Sequence, residues 1–190
     1  MTFQITVTGI TDGQPIPDRY ALCAPDGHLS RNVSPAISWS GAPEGTRAFA
    51  ILVVDRDAVL DRTDVNIISR SVAEDAQRRD FYHWLLVDIP ADISRLEEGD
   101  DAGGIRGQND FGARAKGLNG YDGPCPPWND ERWHHYGFKV CALDVPSLRL
   151  EQGFTPEDAK AAMAGHILAE AEVVGTYTTN VRLVRSHATA

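Results

Sequence analysis

Residues 120–144 read GYDGPCPPWNDERWHHYGFKVCALD, a loop rich in glycine and proline that leads into an alternating segment. Glycine permits backbone conformations that other residues avoid, and proline fixes φ and removes an amide donor, so this loop should hold few conformations. From His134 onward, a period of two places His134 and Tyr136 on one face of a strand and His135 on the other. The stretch therefore predicts a strand whose first residues deliver a histidine and a tyrosine into one cavity beside a rigid loop.

Outward from this strand, further segments have the composition of strands, because they alternate or form short apolar runs between turn residues. They are residues 3–10, 48–54, 83–89 and 172–178. Turn sequences such as Asp12-Gly13 and Gly41-Ala42-Pro43 favour antiparallel connections over repeated β-α-β crossovers. The sequence predicts a mainly β core.

One helix is strongly marked near the C-terminus. Thr155 is a good N-cap, Pro156 stands at the first helical position, and Asp158 completes the spacing of a capping box. The helix is expected to continue through residues 159–171 with one apolar face against the sheet. His166 would lie on that face, where a histidine is more often a packed or capping residue than a functional one.

Residues 58–80 are polar and charged and have little periodicity. A connection of this length predicts a surface excursion that covers or extends the mouth of a site. A helical turn is expected within it, at residues 72–79.

A chain of 190 residues with 42% hydrophobic content can bury one substantial core, and no linker or charge run divides it, so we expect a single domain over residues 1–190. The formal charge of −9 argues against a nucleic-acid partner, which needs clustered Lys and Arg.

No apolar stretch approaches the roughly 20 residues that span a bilayer, and the first residues lack the pattern of a signal peptide, so the sequence favours a cytoplasmic protein. Three cysteines, Cys23, Cys125 and Cys141, are odd in number and have no CxxC spacing. We expect them to be reduced thiols in packing roles, not a disulfide framework or a zinc site.

Polar side chains cluster at the ends of three predicted strands, where they can converge without entering the core. Asp55 and Asp57 follow one apolar strand, His83 begins another, and His134 and Tyr136 begin a third. Two imidazoles backed by a carboxylate form an array of hydrogen-bond donors, because the carboxylate favours the charged imidazolium. The predicted ligand is a small anion such as phosphate.

Two other interpretations of these residues, a metal site and a catalytic nucleophile, have less support. Two His and two Asp are adequate zinc or iron ligands, but no HExxH or similar local pair is present. No GxSxG elbow is present either, and Cys125 lies in a proline-bound loop without an indicated base. The sequence implies neither a metal nor a cofactor.

Several motifs in order along the chain resemble the phosphatidylethanolamine-binding protein family, and specifically its bacterial branch of Raf-kinase-inhibitor-like proteins. The resemblance covers most of the chain from about Asn32 to the final strand, and its motifs are jointly specific. They are Ser34-Pro35-Ala36-Ile37-Ser38-Trp39, Gly41-Ala42-Pro43-Glu44-Gly45-Thr46, Asp55-Arg56-Asp57-Ala58, His83-Trp84-Leu85-Leu86-Val87-Asp88-Ile89-Pro90, Asn109-Asp110-Phe111-Gly112, and Gly120-Tyr121-Asp122-Gly123-Pro124-Cys125-Pro126-Pro127 before His134-His135-Tyr136.

The resemblance implies an antiparallel β-sandwich with Greek-key features, a peripheral C-terminal helix, and a small pocket that takes phosphate or a phospholipid head group. It also favours a homodimer, whose interface nothing in the sequence identifies. In this implied pocket, two histidines donate to the anion, an aspartate orients an imidazole, and the tyrosine supplies a wall and a hydroxyl. The implied ligand-binding residues are Asp55, Asp57, His83, Pro126, His134 and Tyr136.

The block Asp55-Arg56-Asp57-Ala58-Val59 departs from the family pattern Asp-Pro-Asp-Ala-Pro, because both prolines that stiffen the turn are missing. Without these prolines, the position of Asp57 need not follow the family pattern. Residues 58–80 also form a longer excursion than in the eukaryotic members, so a surface used for kinase inhibition is not carried over.

Three functions compete. The first is a non-catalytic protein that binds a small anion or phosphorylated head group and modulates an unidentified partner protein. The second is an enzyme that uses His83 or His134 as general acid or base in the same pocket. The third is an interaction module that recognises a phosphorylated side chain with the help of residues 58–80.

Overall fold

The computed structural model describes residues 2–101, 103–112 and 120–187, and most of its strands form one large antiparallel sheet. The strands in chain order are β1 (Gln4–Val7), β2 (Ile37–Ser40), β3 (Ala48–Val59), β4 (Arg78–Pro90), β5 (Arg95–Leu96), β6 (Ile105–Arg106), β7 (His134–Leu143) and β8 (Ile167–Tyr177). The large sheet has the order β6-β4-β3-β7-β8, and a smaller sheet has the order β1-β2-β5. The prediction of a mainly β, antiparallel fold is confirmed.

The two sheets pack face to face around the main hydrophobic core. Ile37 and Trp39 of the small sheet belong to the same buried cluster as Ile51, Trp84 and Phe138 of the large one. The opposite face of the large sheet is also covered, by a second cluster that includes Phe154 and the first helix. Because both faces are buried, β3 and β4 have nearly continuous apolar runs instead of strict alternation.

The first helix, α1 (Pro156–Met163), begins as predicted but ends much earlier than expected. Thr155 and Asp158 form the reciprocal hydrogen bonds of a capping box. The chain then turns at Gly165, where φ is +82°, a value that glycine adopts without the steric cost of a side chain. Of the residues expected in the rest of this helix, His166 lies in the turn, and those from Ile167 onward form β8, which pairs with β7 at the sheet edge.

A second helix, α2 (Val181–His187), follows β8. Among the described residues, neither helix has the length and apolar character needed to cross a bilayer.

The excursion between β3 and β4 is a loop of turns, so the predicted helical turn at residues 72–79 is wrong. Both flanking strands extend further than the sequence indicated and leave residues 60–77 as the connection. Asn129 fastens this loop to the chain before β7. Its amide donates to the carbonyls of Asp64 and Arg70 at 2.8 and 3.0 Å, and its oxygen accepts from the Asn66 amide at 2.9 Å.

Candidate functional site

A small cavity lies where the end of β3 meets the beginnings of β4 and β7. Because the three strands are antiparallel neighbours, the late residues of β3 and the early residues of the other two share one end of the sheet. The cavity has a volume of about 70 Å³. Drug-sized ligands occupy pockets of about 300–1,000 Å³, whereas about 10–15 Å³ holds one water, so the space suits a group of a few heavy atoms.

An irregularity within β3 separates the carboxylates of Asp55 and Asp57. Pairing between β3 and β4 shifts register between Asp55 and Ala58, so a spacing of two no longer keeps side chains on one face. Asp55 lines the cavity and bonds His134, while Asp57 bonds the neighbouring residue of β7, His135.

Asp57 therefore does not line the cavity in which the sequence placed it. Its carboxylate accepts from the Nδ1 of His135 at 2.7 Å and from the guanidinium of Arg132 at 2.9 Å. These hydrogen bonds hold the pKa of Asp57 below its ordinary value, although burial alone would raise it. Arg56 pairs with Glu172 of β8 and is likewise absent from the cavity wall.

His134 is held between two carboxylates. Its Nδ1 lies 2.7 Å from an oxygen of Asp55, and its Nε2 lies 3.1 Å from an oxygen of Asp130. Asp130 also accepts from two nitrogens of Arg78, at 2.6 and 3.0 Å. The result is a buried chain of alternating charge, from Arg78 through Asp130 and His134 to Asp55.

This arrangement keeps the imidazole charged. Burial would lower the pKa of His134, but hydrogen bonds and charges from Asp130 and Asp55 outweigh it and raise the pKa to about 9. Burial raises the pKa of Asp130, and the bonds from His134 and Arg78 overcome that effect, so its pKa lies below the ordinary value. Both nitrogens of His134 are engaged, so its expected role as a direct donor to a ligand is wrong in this geometry.

His83 has a different environment. Its Nδ1 lies 2.7 Å from the backbone carbonyl oxygen of Asp122. A carbonyl only accepts, so Nδ1 carries the proton, and Nε2, the ring nitrogen left for the cavity, is an acceptor. The expectation that His83 donates to the anion does not fit this tautomer. Burial lowers the pKa of His83 against the opposing charge of Asp55, which favours the neutral ring.

Asp122 is fixed by two asparagines that are distant in sequence. Its carboxylate accepts from the amides of Asn32 and Asn109 at 2.7 and 2.8 Å. The Asn32 oxygen in turn accepts from the Gly123 amide at 2.7 Å. This buried network orients the carbonyl that sets the His83 tautomer.

Tyr136 stands between the two histidines, with its ring centroid 5.1 Å from that of His83 and 6.4 Å from that of His134. Burial and the charge of Asp55 hold the pKa of Tyr136 well above its ordinary value, so its hydroxyl keeps its proton. Among the described residues that hydroxyl has no hydrogen-bond partner. Asp55 is near enough for its side chain to contribute to the raised pKa of Tyr136. Its oxygens accept from His134 and from the Asp57 amide, and the hydroxyl of Tyr136 makes no hydrogen bond of normal geometry to them. A buried donor without a partner is costly, and a ligand in the cavity would supply one.

The outer part of the cavity combines aromatic walls with two exposed arginines. Phe81 and Phe111 each lie 5.2 Å from the His83 ring, centroid to centroid. The guanidinium of Arg79 lies over the Phe81 ring at 5.3 Å. Arg62, from the loop of residues 60–77, lines the same cavity. The mouth therefore holds two cations, of which Arg79 also lies 3.7 Å from a carboxylate oxygen of Asp110.

A disulfide joins Cys23 to Cys125, so the expectation of three reduced thiols is wrong. The spacing of 102 residues along the chain gave no sign that the two Cα atoms lie 4.8 Å apart. Cys125, Pro126 and Pro127 form one wall of the cavity, and prolines offer no amide donor. The bond excludes Cys125 as a nucleophile, and Cys141 is a buried free thiol.

Within residues 2–101, 103–112 and 120–187, no group of three or more His, Cys, Asp or Glu side chains has the geometry of a metal site.

The structure brings five of the six predicted residues to one cavity, and their role in ligand binding stays a prediction. Sequence reasoning missed the residues that hold them in place. Asp130 is close to His134 in sequence, but no local pattern marks it as a partner, and Arg78, Asp122, Asn32 and Asn109 have no spacing that links them to the histidines. The five residues that line the cavity are Asp55, His83, Pro126, His134 and Tyr136.

Comparison with known proteins gives one consistent result. The sequence profile described as phosphatidylethanolamine-binding protein matches residues 6–178. A UPF0098 protein of Aquifex aeolicus is 36% identical over 171 residues, which is 87% of this chain and 82% of the relative. YbcL of Escherichia coli is 30% identical over 188 residues, covering 92% and 87%.

Two crystal structures have the same fold. YbcL superimposes with a TM-score of 0.74 at 28% identity over 94% of this chain and 99% of its own, and its structure is described as a new member of the mammalian PEBP family. The Chlamydia trachomatis homologue CT736 superimposes with a TM-score of 0.70 at 32% identity over 93% and 97%.

Proposed function

The chain belongs to the phosphatidylethanolamine-binding protein family, and from that premise we propose that it is a non-catalytic binding protein for a small anion, namely phosphate or a phosphorylated head group. The observation that carries the proposal is the unpartnered hydroxyl of Tyr136 in a cavity whose mouth holds Arg62 and Arg79. A buried donor and two cations complement a group that is compact, anionic and rich in acceptor oxygens.

The charge balance of the interior supports this assignment. Asp55 and Asp130 carry two negative charges, and His134 and Arg78 carry two positive ones. The net charge of these four side chains is therefore close to zero. An entering anion therefore meets no uncompensated negative charge, although Asp55 lines the cavity. His134 contributes by neutralising Asp55, not by contacting the ligand.

The catalytic alternative has less support from the same geometry. A general acid or base must exchange a proton with a substrate within hydrogen-bond reach, and both nitrogens of His134 are bonded to carboxylates. His83 keeps a free nitrogen, but no described side chain in the cavity is an activated nucleophile. We therefore place binding before catalysis.

Titration calorimetry with inorganic phosphate at pH 6 and low ionic strength tests the proposal, since exposed charges are screened by salt. We expect Arg62→Ala combined with Arg79→Ala to weaken phosphate binding by about tenfold, because charge-assisted contacts are lost. The matched control is Arg47→Ala combined with Arg95→Ala, which removes the same charge from exposed positions outside the cavity. Absence of phosphate binding by the wild type, or equal losses in both variants, would contradict the proposal.

A further inference from the structure

The hydrogen-bond donors and acceptors of the cavity restrict the protonation state of the ligand, which the arginines at the mouth do not. In the part of the chain that the structure describes, the buried wall offers an O–H without an acceptor, from Tyr136, and a lone pair on Nε2 of His83 to which no residue donates. His134 has no free N–H, and Pro126 and Pro127 have none to give. A fully ionised oxyanion can satisfy the first group but not the second.

From this arrangement we infer that the cavity selects a phosphoryl group that carries its own O–H, which is inorganic phosphate or a phosphomonoester in its singly protonated form. The ligand hydroxyl donates to Nε2 of His83, and an ionised oxygen accepts from Tyr136. The inference rests on the proposed function and deepens it, because it excludes the phosphodiester of an intact phospholipid head group as the preferred ligand.

The tautomer of His83 is set by geometry on the side of the ring away from the ligand. The carbonyl of Asp122 cannot donate, and it is held by the network of Asn32 and Asn109 around the Asp122 carboxylate. With the proton on Nε2 instead, Nδ1 and the Asp122 carbonyl oxygen would face each other as two buried acceptors, with no hydrogen bond between them. The acceptor in the cavity is thus built into the fold.

The surroundings of His83 determine how a doubly ionised ligand would bind. Burial disfavours the charged ring more than the neighbouring charges favour it, so the ring is neutral before the ligand arrives. The dianion of a phosphomonoester has no O–H, so it must bring a proton from solvent, which then lies between Nε2 and a ligand oxygen; the dianion of inorganic phosphate keeps one O–H and needs no such proton. The charged and titratable groups around this position are Asp55 from β3, Tyr136 and His134 from β7, Asp122 from the loop before β7, and Arg62 and Arg79 at the mouth.

Proton uptake on binding is the direct test. A phosphomonoester has a second pKa of about 6, so it enters mostly as the dianion at pH 8 and mostly as the monoanion at pH 5. Calorimetry of phosphoethanolamine in two buffers of different ionisation enthalpy should give an uptake near one proton at pH 8 and near zero at pH 5. Binding at pH 8 without proton uptake would overturn the inference and leave anion binding intact, whereas no binding at either pH would defeat the proposed function.

Two isomeric esters test the contribution of the ligand hydroxyl, because they have the same atoms and the same charge at pH 5. At pH 5, ethyl phosphate and dimethyl phosphate are both singly charged, but only ethyl phosphate has an ionisable O–H. We expect ethyl phosphate to bind at least about tenfold more tightly, because dimethyl phosphate leaves the buried acceptor unpaired. Equal affinities would contradict the inference.

The source of the phosphoryl group is distinguished in the same way. Phosphoethanolamine is the monoester, and glycerophosphoethanolamine is the diester that corresponds to the lipid head group. Preference for the monoester supports a free phosphorylated metabolite or inorganic phosphate as ligand, and preference for the diester would overturn the inference in favour of the intact lipid.

The variant His83→Gln removes the titratable ring and should abolish proton uptake at pH 8, while His166→Gln, at a half-buried histidine paired with Asp144 outside the cavity, should leave it unchanged. Uptake retained in a folded His83→Gln variant would assign the proton to another group and refute the inference. If that variant does not fold, the comparison of the two isomers with the wild-type protein still decides the question.

Discussion

At the scale of single residues, the two cavity histidines are shifted in opposite directions by what surrounds them. His134 bonds two carboxylates and has a pKa of about 9, whereas burial lowers the pKa of His83 beside a backbone carbonyl. One histidine is thus a permanent cation near neutral pH, and the other is a neutral acceptor. Similar side chains at one end of a sheet have separate tasks.

These shifts predict a maximum of stability near pH 6.5. For His134, the folded pKa exceeds the unfolded value of about 6.5, so its contribution is complete below pH 6.5 and is lost as the pH rises to 9. We expect a loss on the order of 2–3 kcal/mol over that interval. For His83 the folded pKa is lower than the unfolded one, so its contribution is lost as the pH falls below 6.5.

Urea unfolding at pH 5 to 9 measures this profile. His134→Gln should flatten the alkaline side of the profile, and His166→Gln, at a half-buried histidine outside the cavity, should leave it steep. An unfolding free energy that rises between pH 7 and 9 would refute the assignment of a charged His134.

The sequence indicated residues of the site better than their roles. His83, His134 and Tyr136 were found because each lies at or near the start of a predicted strand, where a period of two indicates which way a side chain points. The same rule misplaced Asp57, because the register shift after Asp55 breaks the period. The second partner of His134, Asp130, escaped notice because nothing in its local pattern marks a turn residue as a buried counter-ion.

At the scale of elements, the walls of the cavity come from connections that are fastened far from their own strands. The loop of residues 60–77 is held by Asn129, and the loop that carries Cys125 is held by its disulfide to Cys23. Loops of this kind are where binding residues concentrate on a rigid scaffold. Helix α1 shows the limit of local signals, since the sequence predicted its capping box but not its end at Met163, before the turn at Gly165.

The disulfide should contribute about 2–4 kcal/mol to stability, because it closes a long loop in the unfolded chain. Reductant should lower the urea midpoint of the wild type by a corresponding amount. In the control, Cys23→Ser combined with Cys125→Ser, reductant should have no effect. Three free thiols in the unreduced protein, counted by mass spectrometry after alkylation, would contradict the bond.

Bonds of this type persist in oxidising compartments and are rare in the cytosol. The disulfide therefore counts against the cytoplasmic location expected from the first residues of the chain.

At the scale of the whole molecule, the loop before β7 connects the cavity to the N-terminal part of the chain. Gly123 approaches the backbone of Tyr20 so closely that a Cβ atom would lie 1.8 Å from the Tyr20 oxygen. The hydroxyl of Tyr121 donates to the same oxygen at 2.7 Å. The fold class could be predicted because alternation and turn residues are local, whereas this contact over about a hundred residues could not.

Gly123→Ala should therefore destabilise the protein by about 1–3 kcal/mol, because the backbone of two distant segments must move apart. Gly120→Ala is the matched control in the same loop, where a Cβ atom would meet nothing within 4 Å. We expect that variant to stay within about 1 kcal/mol of the wild type. Equal unfolding free energies for the two variants would show that the backbones at Gly123 and Tyr20 can move apart without a loss of stability.

The bond between Cys23 and Cys125 closes the backbone into a covalent ring that contains β2 to β6 and leaves β7 and β8 outside. A protease that nicks this ring once, for example at the exposed Arg70, opens it without releasing a fragment. The nicked molecule would run as one species on a non-reducing gel and as two after reduction. Cleavage of the loop over the cavity would thus be detected only after the disulfide is reduced.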